Sequence, residues 1–226
     1  MSYRYDCGDA TGRERGLARA RTALGDGALV VVPTESAYGL ACDAFSAPGL
    51  AALRAAKAAP RLRPPVLIGS GRTLDGLATG VSAGVRDLAE AFWPGPLTLI
   101  CHAQSTLDWG LSGGDGGVSL RMPLHPVLLQ LLAATGPLAL TVANAPGRPL
   151  PTTYEEAHEQ LGEAAEVYLD GGPARFGGPS TVVDGRGQVP WVLRHGDVTL
   201  EALRAVVPDI VDAVEPAAGA AAGAGG

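Results

Sequence analysis

Short apolar runs alternate with amphipathic segments along most of this 226-residue chain. A run such as 28–32, bounded by glycine and proline, is typical of a strand that is buried on both faces. Segments in which apolar residues recur at helical spacing predict helices. We predict helices over residues 16–24, 48–58, 82–92, 126–135, 154–161 and 199–207, and strands over 28–32, 65–69, 97–102, 118–121, 138–142, 166–169, 180–184 and 190–194.

This alternation of helices and strands is typical of the α/β class. Several predicted strands lie too close together in sequence for a crossover helix, so we expect a twisted, mixed, open sheet flanked by helices. One domain over residues 1–212 accounts for these elements. Residues 213–226 end in a run of alanine and glycine that cannot bury enough surface to offset its ordering entropy, so we predict a disordered tail there.

The charge balance restricts the class of ligand. The net charge of −6 and the pI near 5.2 argue against a broad basic surface for nucleic acid, so we do not expect direct RNA binding. A local basic site for a small anion is compatible with this balance. Among the 17 basic residues there is one lysine, Lys57, and its position is therefore informative.

Cysteine usage and hydropathy indicate an intracellular protein. Cys7, Cys42 and Cys101 are widely spaced and form no pair with the spacing of a zinc site, so we predict reduced, packed thiols. The N-terminal segment is polar, and no apolar stretch reaches the roughly 18 residues that a membrane span needs. We therefore expect a cytoplasmic protein that does not bind membranes.

Polar side chains follow several of the predicted strands. Ligands of open α/β sheets bind beyond the carboxyl ends of strands, which makes such residues candidates for binding. Thr34, Glu35 and Ser36 come directly after strand 28–32, although a turn capped by a hydroxyl explains them equally well. The other candidates of this kind are Arg121, Thr141, Asn144, Ser180 and Arg194.

A cluster of cations is a second kind of candidate. Lys57, Arg61 and Arg63 precede strand 65–69, and the planar fork of arginine matches phosphate oxygens. A solvated surface loop is the alternative interpretation of this cluster. The chain has no P-loop, no dinucleotide-binding glycine motif and no nucleophile elbow, so none of these segments is specific alone.

Two further residues are interpreted as structural. Trp93 lies in a segment with two prolines and a glycine, and we expect it to anchor a turn. His125 precedes Pro126 at the start of a predicted helix, and we interpret it as a cap of that helix.

Taken together and in order, these segments resemble the YrdC-like family of threonylcarbamoyl-AMP synthases. The resemblance covers residues 27–196, and the chain resembles the single-domain form of the family. The motifs that carry it are Pro33-Thr-Glu-Ser-Ala-Tyr-Gly39, Lys57 of a K-x-R motif, Trp93-Pro-Gly-Pro-Leu-Thr98, Val118-Ser-Leu-Arg-Met-Pro123, Val142-Ala-Asn144, Ser180-Thr-Val-Val-Asp184 and Leu193-Arg-His-Gly196.

The resemblance implies a YrdC-like fold with a basic ligand cleft. It also implies a reaction in which L-threonine, bicarbonate and ATP, with Mg²⁺, give threonylcarbamoyl-AMP and pyrophosphate for the threonylcarbamoyl modification of tRNA, alongside partner proteins of that modification. By position, Thr34, Arg121 and Ser180 would bind threonine, with Arg121 holding its carboxylate, and no residue is assigned as an acid or a base. The positions that would bind the nucleotide are Lys57, Arg61, Arg63, Thr141, Asn144 and Arg194.

Two positions depart from the motifs of that family. Ala59 replaces the arginine of K-x-R, so Arg61 or Arg63 would have to reach the phosphates instead. Val142 replaces the serine of S-x-N and cannot donate a hydrogen bond. Uncompensated loss of both contacts costs roughly 2–5 kcal/mol. Three hypotheses are therefore open: an active synthase, a diverged paralogue with an altered ligand, and a catalytically silent nucleotide- or RNA-binding module.

Overall fold

The computed structural model describes residues 1–107, 109–111, 115–174 and 177–214. The predicted tail lies outside the described residues from position 215 onward. The helices are α1 (Ala10–Gly25), α2 (Ala47–Ala56), α3 (Leu74–Leu77), α4 (Ala83–Phe92), α5 (Pro126–Thr135), α6 (Tyr154–Leu161) and α7 (Leu200–Val206), with 3-10 turns at Gly71–Thr73 and Gly162–Ala164. The strands are β1 (Tyr3–Asp6), β2 (Val30–Pro33), β3 (Tyr38–Asp43), β4 (Val66–Leu67), β5 (Ala78–Thr79), β6 (Leu97–Ala103), β7 (Gly117–Arg121), β8 (Leu138–Val142), β9 (Val167–Asp170), β10 (Thr181–Asp184), β11 (Trp191–Arg194) and β12 (Val211–Asp212).

The strands form one mixed sheet in the order β1-β9-β2-β3-β8-β4-β7-β6-β10-β11-β12, with β5 paired to β6. Neighbours such as β2 and β9, or β6 and β10, are parallel, whereas β2 and β3, or β6 and β7, are antiparallel. Because residues 34–37 alone connect β2 to β3, that pair must be antiparallel. The prediction of a mixed sheet flanked by helices is confirmed.

Local side chains fix where most helices begin. In five helices a side-chain oxygen at the N-cap accepts the backbone N–H three residues later, which satisfies a donor that has no partner within the helix. These N-caps are Asp9, Ser46, Ser82, Thr153 and Thr199. No helix in the described part of the chain is long and apolar enough to cross a membrane.

The two faces of the sheet are covered unequally. Helices α2, α4, α6 and α7 pack their apolar faces on one side along most of the sheet. On the other side α1 and α5 pack on β9, β2, β3, β8 and β4, where Leu24 and Leu131 meet Val32 and Leu140. On β7, β6 and β10 the residues of this second face, such as Ile100 and Val182, belong to neither core cluster and stay partly exposed. This open part of the sheet is where a ligand can bind.

Four strands were not predicted from the sequence: β1, β3 and the two-residue strands β5 and β12. β1 is mostly exposed at the edge of the sheet, so its residues lack the apolar alternation that indicates a strand. β3 follows a polar turn and contains Gly39, and its apolar residues do not form a run long enough to indicate a strand. Gly39 is required by packing, because a Cβ at this position would lie 2.7 Å from the Leu140 side chain of the neighbouring strand.

The buried hydroxyl of Tyr38 connects β3 to the end of β9. It lies 2.7 Å from the carbonyl of Gly172 and 3.1 Å from Asp170 Oδ1, and it accepts the N–H of Gly171 at 3.1 Å. Asp170 also accepts from Arg4 of β1. This network therefore fixes the 171–172 segment beside the open part of the sheet.

We predict that Tyr38→Phe lowers the free energy of unfolding by about 1–3 kcal/mol, because buried polar groups lose their partner. Urea denaturation measures this change. Tyr3→Phe is the matched control, since the hydroxyl of Tyr3 makes no hydrogen bond within the described residues and its side chain is exposed. Equal effects of the two substitutions would contradict the prediction.

Candidate functional site

The open part of the sheet holds a cleft of about 90 Å³. Thr34, Arg121 and Ser180, the residues predicted to bind threonine, all line it although they are far apart in sequence. Apolar side chains from β4 and β8 complete part of the wall: Leu67, Leu140 and Val142. The cleft thus combines an apolar wall with a few polar groups, as is typical of small-ligand sites.

The turn between β2 and β3 holds Thr34 at the cleft. Thr34 N and Oγ1 both donate to the carbonyl of Ala37, and Ala37 N–H donates back to Thr34 Oγ1 at 3.3 Å. The turn is closed by the pairing of Pro33 with Tyr38. The structure therefore supports both interpretations of Thr34, since its hydroxyl caps a turn and also borders the cleft.

An ion pair between Arg121 and Glu35 lies at the centre of the site. Arg121 Nη2 donates to Glu35 Oε1, and both side chains are about six-sevenths buried, with exposed fractions of 15% and 14%. Nη1 of Arg121 makes no hydrogen bond to any described residue. Oε2 of Glu35 is buried, and it too has no partner there. Within the described residues the pair thus leaves the Nη1 group of Arg121 and one oxygen of Glu35 without partners. The sequence did not identify Glu35 as the partner of Arg121.

The proline-rich turn after α4 orients Arg121. The carbonyl of Gly95 accepts from Arg121 Nε at 3.1 Å, while Gly95 N–H donates to the carbonyl of Met122 at 2.8 Å. Trp93 is buried, and its Nε1–H donates to the carbonyl of Leu97. A Cβ at Gly95 would lie 2.4 Å from the carbonyl oxygen of Phe92, which explains the glycine. The expected structural role of Trp93 agrees with these contacts.

Ser180 lies in a hydrogen-bonded group on the opposite side of the cleft. Its hydroxyl is 2.9 Å from Thr98 Oγ1 and accepts from Arg194 Nη2 at 3.0 Å. Arg194 also donates to the Ser180 carbonyl through Nε and Nη2, at 3.1 and 2.7 Å. The exposed guanidinium of Arg194 therefore orients Ser180 in the described structure.

Lys57 follows α2 and contacts the end of β8. Its Nζ donates to the carbonyls of Val142 and Asn144 and to Asn144 Oδ1, at 3.1, 2.5 and 2.6 Å. An ammonium has three N–H donors, so these acceptors use all of them. Desolvation lowers the pKa of Lys57 below its ordinary value. The structure brings two of the predicted nucleotide-binding residues, Lys57 and Asn144, into direct contact.

The other predicted nucleotide-binding residues lie apart from this contact. Arg61 is exposed and makes no hydrogen bond or ion pair with the described residues. Nη1 of Arg63 lies 3.3 Å from Oδ1 of Asp115, and Arg63 lines a separate cavity together with Arg186. Thr141 faces the side of the sheet opposite Leu140 and Val142, because successive strand residues alternate between faces.

A second cavity of about 270 Å³ adjoins the cleft, and Thr34 and Glu35 line both. Its other lining residues include His125 and the Gly171–Gly172 backbone. His125 occupies the N-cap position of α5, as interpreted, and its carbonyl accepts the N–H of Leu129 at 2.9 Å, although its side chain makes no capping hydrogen bond. Its Nδ1 is buried and has no partner among the described residues, and burial lowers the pKa of His125 while Glu35 opposes part of that shift.

The three cysteines are buried and unpaired. Burial raises the pKa of Cys7 to about 11 and that of Cys42 and Cys101 to about 12, which makes their thiols poor nucleophiles. Among the described residues no three His, Cys, Asp or Glu side chains are grouped so that they could hold a metal ion.

Comparison with known proteins identifies relatives along most of the chain. Residues 22–196 match the model of the Sua5/YciO/YrdC family, which carries the description "Telomere recombination". A Mycobacterium tuberculosis protein named "Putative threonylcarbamoyl-AMP synthase" is 44% identical over 208 residues, covering 92% of this chain and 96% of that protein. A threonylcarbamoyl-AMP synthase of Pyrococcus abyssi is 35% identical over 187 residues, covering 82% of this chain and 55% of that protein.

Solved structures show the same fold. P. abyssi Sua5 in complex with L-threonine matches with a TM-score of 0.85 at 30% identity, over 94% of this chain and 62% of that one. Escherichia coli YciO matches with a TM-score of 0.78 over 90% of this chain and 100% of that one, at 21% identity. The YrdC-like α/β fold is therefore confirmed, and the chain belongs to the Sua5/YciO/YrdC family.

Proposed function

We propose that this protein is a threonylcarbamoyl-AMP synthase, which joins L-threonine, bicarbonate and ATP and releases pyrophosphate. The observation that carries the proposal is the gathering of Thr34, Arg121 and Ser180 around one cleft in a chain whose relatives bear that name. A relative of this fold is known in complex with L-threonine, which supports an amino acid as the ligand of the cleft.

Arg121 would bind the carboxylate of threonine. Its Nη1 is the donor that the protein itself leaves unused, and guanidinium groups form strong, directional bonds to carboxylates. Thr34 and the hydroxyl pair of Thr98 and Ser180 then border the substrate and offer polar partners for its other groups. The apolar wall at Leu140 and Val142 suits the methyl group of threonine.

ATP would bind toward Lys57, Asn144 and Arg194, which supply positive and polar groups for the phosphates. Since Lys57 and Arg194 donate to oxygens of the protein itself, phosphate oxygens would replace backbone and side-chain oxygens as their acceptors. Arg61 and Arg63 lie on the loop after Lys57, and the exposed Arg61 has its guanidinium free of described partners. Mg²⁺ would arrive with ATP, held by phosphate oxygens and water, and neutralise phosphate charge.

The chemistry needs positioning more than covalent help. The carbamate of threonine attacks the α-phosphorus of ATP, and pyrophosphate leaves in line with the attack. Alignment of the two reactants and charge neutralisation supply most of the acceleration in reactions of this kind. The adenylate product would pass to partner proteins that modify tRNA.

A diverged paralogue that accepts another small amino acid is the second candidate. The observation that favours it is Val142, which lines the cleft where the resemblance places a serine. A change in that wall alters the shape available to the substrate side chain. Comparison of serine, threonine and valine in the same assay distinguishes the two candidates.

We predict that purified protein with ATP, Mg²⁺, bicarbonate and L-threonine releases pyrophosphate and forms threonylcarbamoyl-AMP. Arg121→Lys should raise the KM for threonine by about tenfold or more, because the compact ammonium of lysine lacks the planar fork with which arginine can hold a carboxylate through two N–H groups while it stays bonded to Glu35 and Gly95. The exposed Arg72→Lys is the control and should leave both KM values unchanged. Absence of product from the wild-type protein at high enzyme concentration would overturn the proposed function.

We predict that Ala59→Arg combined with Val142→Ser lowers the KM for ATP by about tenfold or more, since the family resemblance implies a phosphate contact at both positions. Steady-state kinetics at saturating threonine measures the effect. An unchanged KM would show that Arg61 or Arg63 already supplies the missing contacts, and Arg61→Ala and Arg63→Ala would then identify which one does.

We predict that Lys57→Met lowers the free energy of unfolding by about 1–3 kcal/mol, because three oxygens at the end of β8 lose their donor. Arg61→Met removes a cation from the same loop without breaking a described contact and serves as the matched control. Thermal unfolding compares the two variants. A Lys57→Met variant as stable as the control would show that solvent replaces these bonds without cost.

A further inference from the structure

The two oxygens of the Glu35 carboxylate are in different situations. Oε1 accepts from Arg121, whereas Oε2 is buried and has no partner within the described residues. Leaving a buried carboxylate oxygen without a donor is costly, so such an oxygen calls for a donor from a ligand, a reacting group or a bound water. Since Glu35 lines the cleft together with Thr34, Arg121 and Ser180, a donor that completes it would belong to the substrate.

A zwitterionic amino acid supplies such a donor. Its carboxylate and its ammonium are attached to the same carbon, so the two charges are close neighbours. Arg121 and Glu35 are neighbours in the same way, and neither Nη1 of one nor Oε2 of the other has a hydrogen-bond partner among the described residues. A substrate carboxylate on Arg121 therefore brings the substrate ammonium toward Glu35, and the buried Oε2 has to turn into the cleft to meet it.

We propose that Glu35 Oε2 accepts the proton that the amino group must lose before it is carbamoylated. This inference rests on the proposed function, because it concerns the same amino acid and the same cleft. It assigns Glu35 as a catalytic base in a site where no acid or base was assigned from the sequence.

The step balances with bicarbonate as the carbonyl donor. The ammonium gives one proton to Glu35 and becomes a free amine, whose nitrogen forms a bond to the carbon of bicarbonate. A carbon–oxygen bond of bicarbonate breaks, and the hydroxide that leaves takes a second proton from nitrogen as water. The products are the carbamate, water and a protonated Glu35, which returns its proton to solvent before the next turnover.

In this proposal the second cavity is the route by which the proton leaves Glu35 for solvent. Glu35 lines both spaces, and His125 borders the second one with its buried Nδ1 unpartnered. The charged or titratable groups that face Glu35 are Arg121 on β7 and His125 at the start of α5. Asp170, close to the Gly171–Gly172 wall of the second cavity, is bonded to Arg4 and Tyr38.

Glu35→Gln tests the proposal, because it keeps the size of the side chain and removes the base. Pyrophosphate release is measured with saturating ATP, Mg²⁺ and bicarbonate over a threonine series, from neutral to alkaline pH. We expect kcat to fall by about 100-fold or more at neutral pH, the typical contribution of a general base. The deficit should shrink as pH rises, because more threonine then carries a free amine and needs no base.

Two further variants separate the base from a structural role. Glu35→Asp keeps a carboxylate and should keep most of the turnover, and Glu201→Gln, on the exposed surface of α7, should equal the wild type. A Glu35→Gln loss confined to the KM for threonine and equal at every pH would overturn the proposal, since Glu35 would then only hold Arg121. Unchanged turnover in Glu35→Gln would overturn it as well. An inactive wild type would instead refute the proposed function itself.

Discussion

The unequal cover of the sheet determines where this protein can bind anything. A sheet buried on both faces must have apolar residues on both, and β2, β3 and β8 satisfy this requirement under α1 and α5. Beyond β4 these two helices end their contact, and β7, β6 and β10 present one face without a helix on it. Polar residues such as Ser119 and Arg121 are tolerated on that face because it remains accessible to solvent and ligand.

The Arg121–Glu35 pair depends on three segments that meet at this open face. The hairpin turn after β2 supplies Glu35, and β7 supplies Arg121. The carbonyl of Gly95 accepts a hydrogen bond from the guanidinium of Arg121 and so fixes its orientation. Burying two charges costs several kcal/mol per ion, and a single ion pair seldom repays that cost in stability. The pair is therefore better explained by the ligand it prepares for than by the stability it adds to the fold.

Much of the fold could be predicted because its signals are local. The helix Pro126–Thr135 and the strand Leu138–Val142 have the predicted bounds, since apolar periodicity and flanking proline or glycine mark both. β1 could not be predicted, because its residues are exposed and their pairing with β9 is more than 160 residues away in sequence. α1 begins at Ala10, ahead of the predicted start, because its first turns are polar and are set by the Asp9 cap.

The residues that gather at the cleft could be predicted from the sequence, but their hydrogen-bond partners could not. The motifs identified Thr34, Arg121 and Ser180, and the structure places all three around the cleft. The pairing of Arg121 with Glu35 spans 86 positions and leaves no periodic signal in the sequence. The orientation of Thr141 could be predicted from the sequence, because successive residues of a strand point to opposite faces and Thr141 follows Leu140. His125 is the N-cap residue of α5 as expected, but the absence of a capping hydrogen bond from its side chain could be seen only in three dimensions.

The contacts of Lys57 and Arg194 with neighbouring oxygens of the protein indicate how the candidate site avoids exposing unpaired charge. Each cation is bonded to oxygens of the segment beside it, Lys57 to the end of β8 and Arg194 to Ser180. A phosphate that binds these cations must displace those oxygens, so part of its binding energy is spent on rearranging the protein. Ser180, which Arg194 orients, borders the cleft, so a nucleotide bound at Arg194 as proposed would change the surroundings of an amino acid in the cleft. Such a shared residue would couple the two halves of the proposed site, and by reciprocity the amino acid would then alter nucleotide affinity by the same factor.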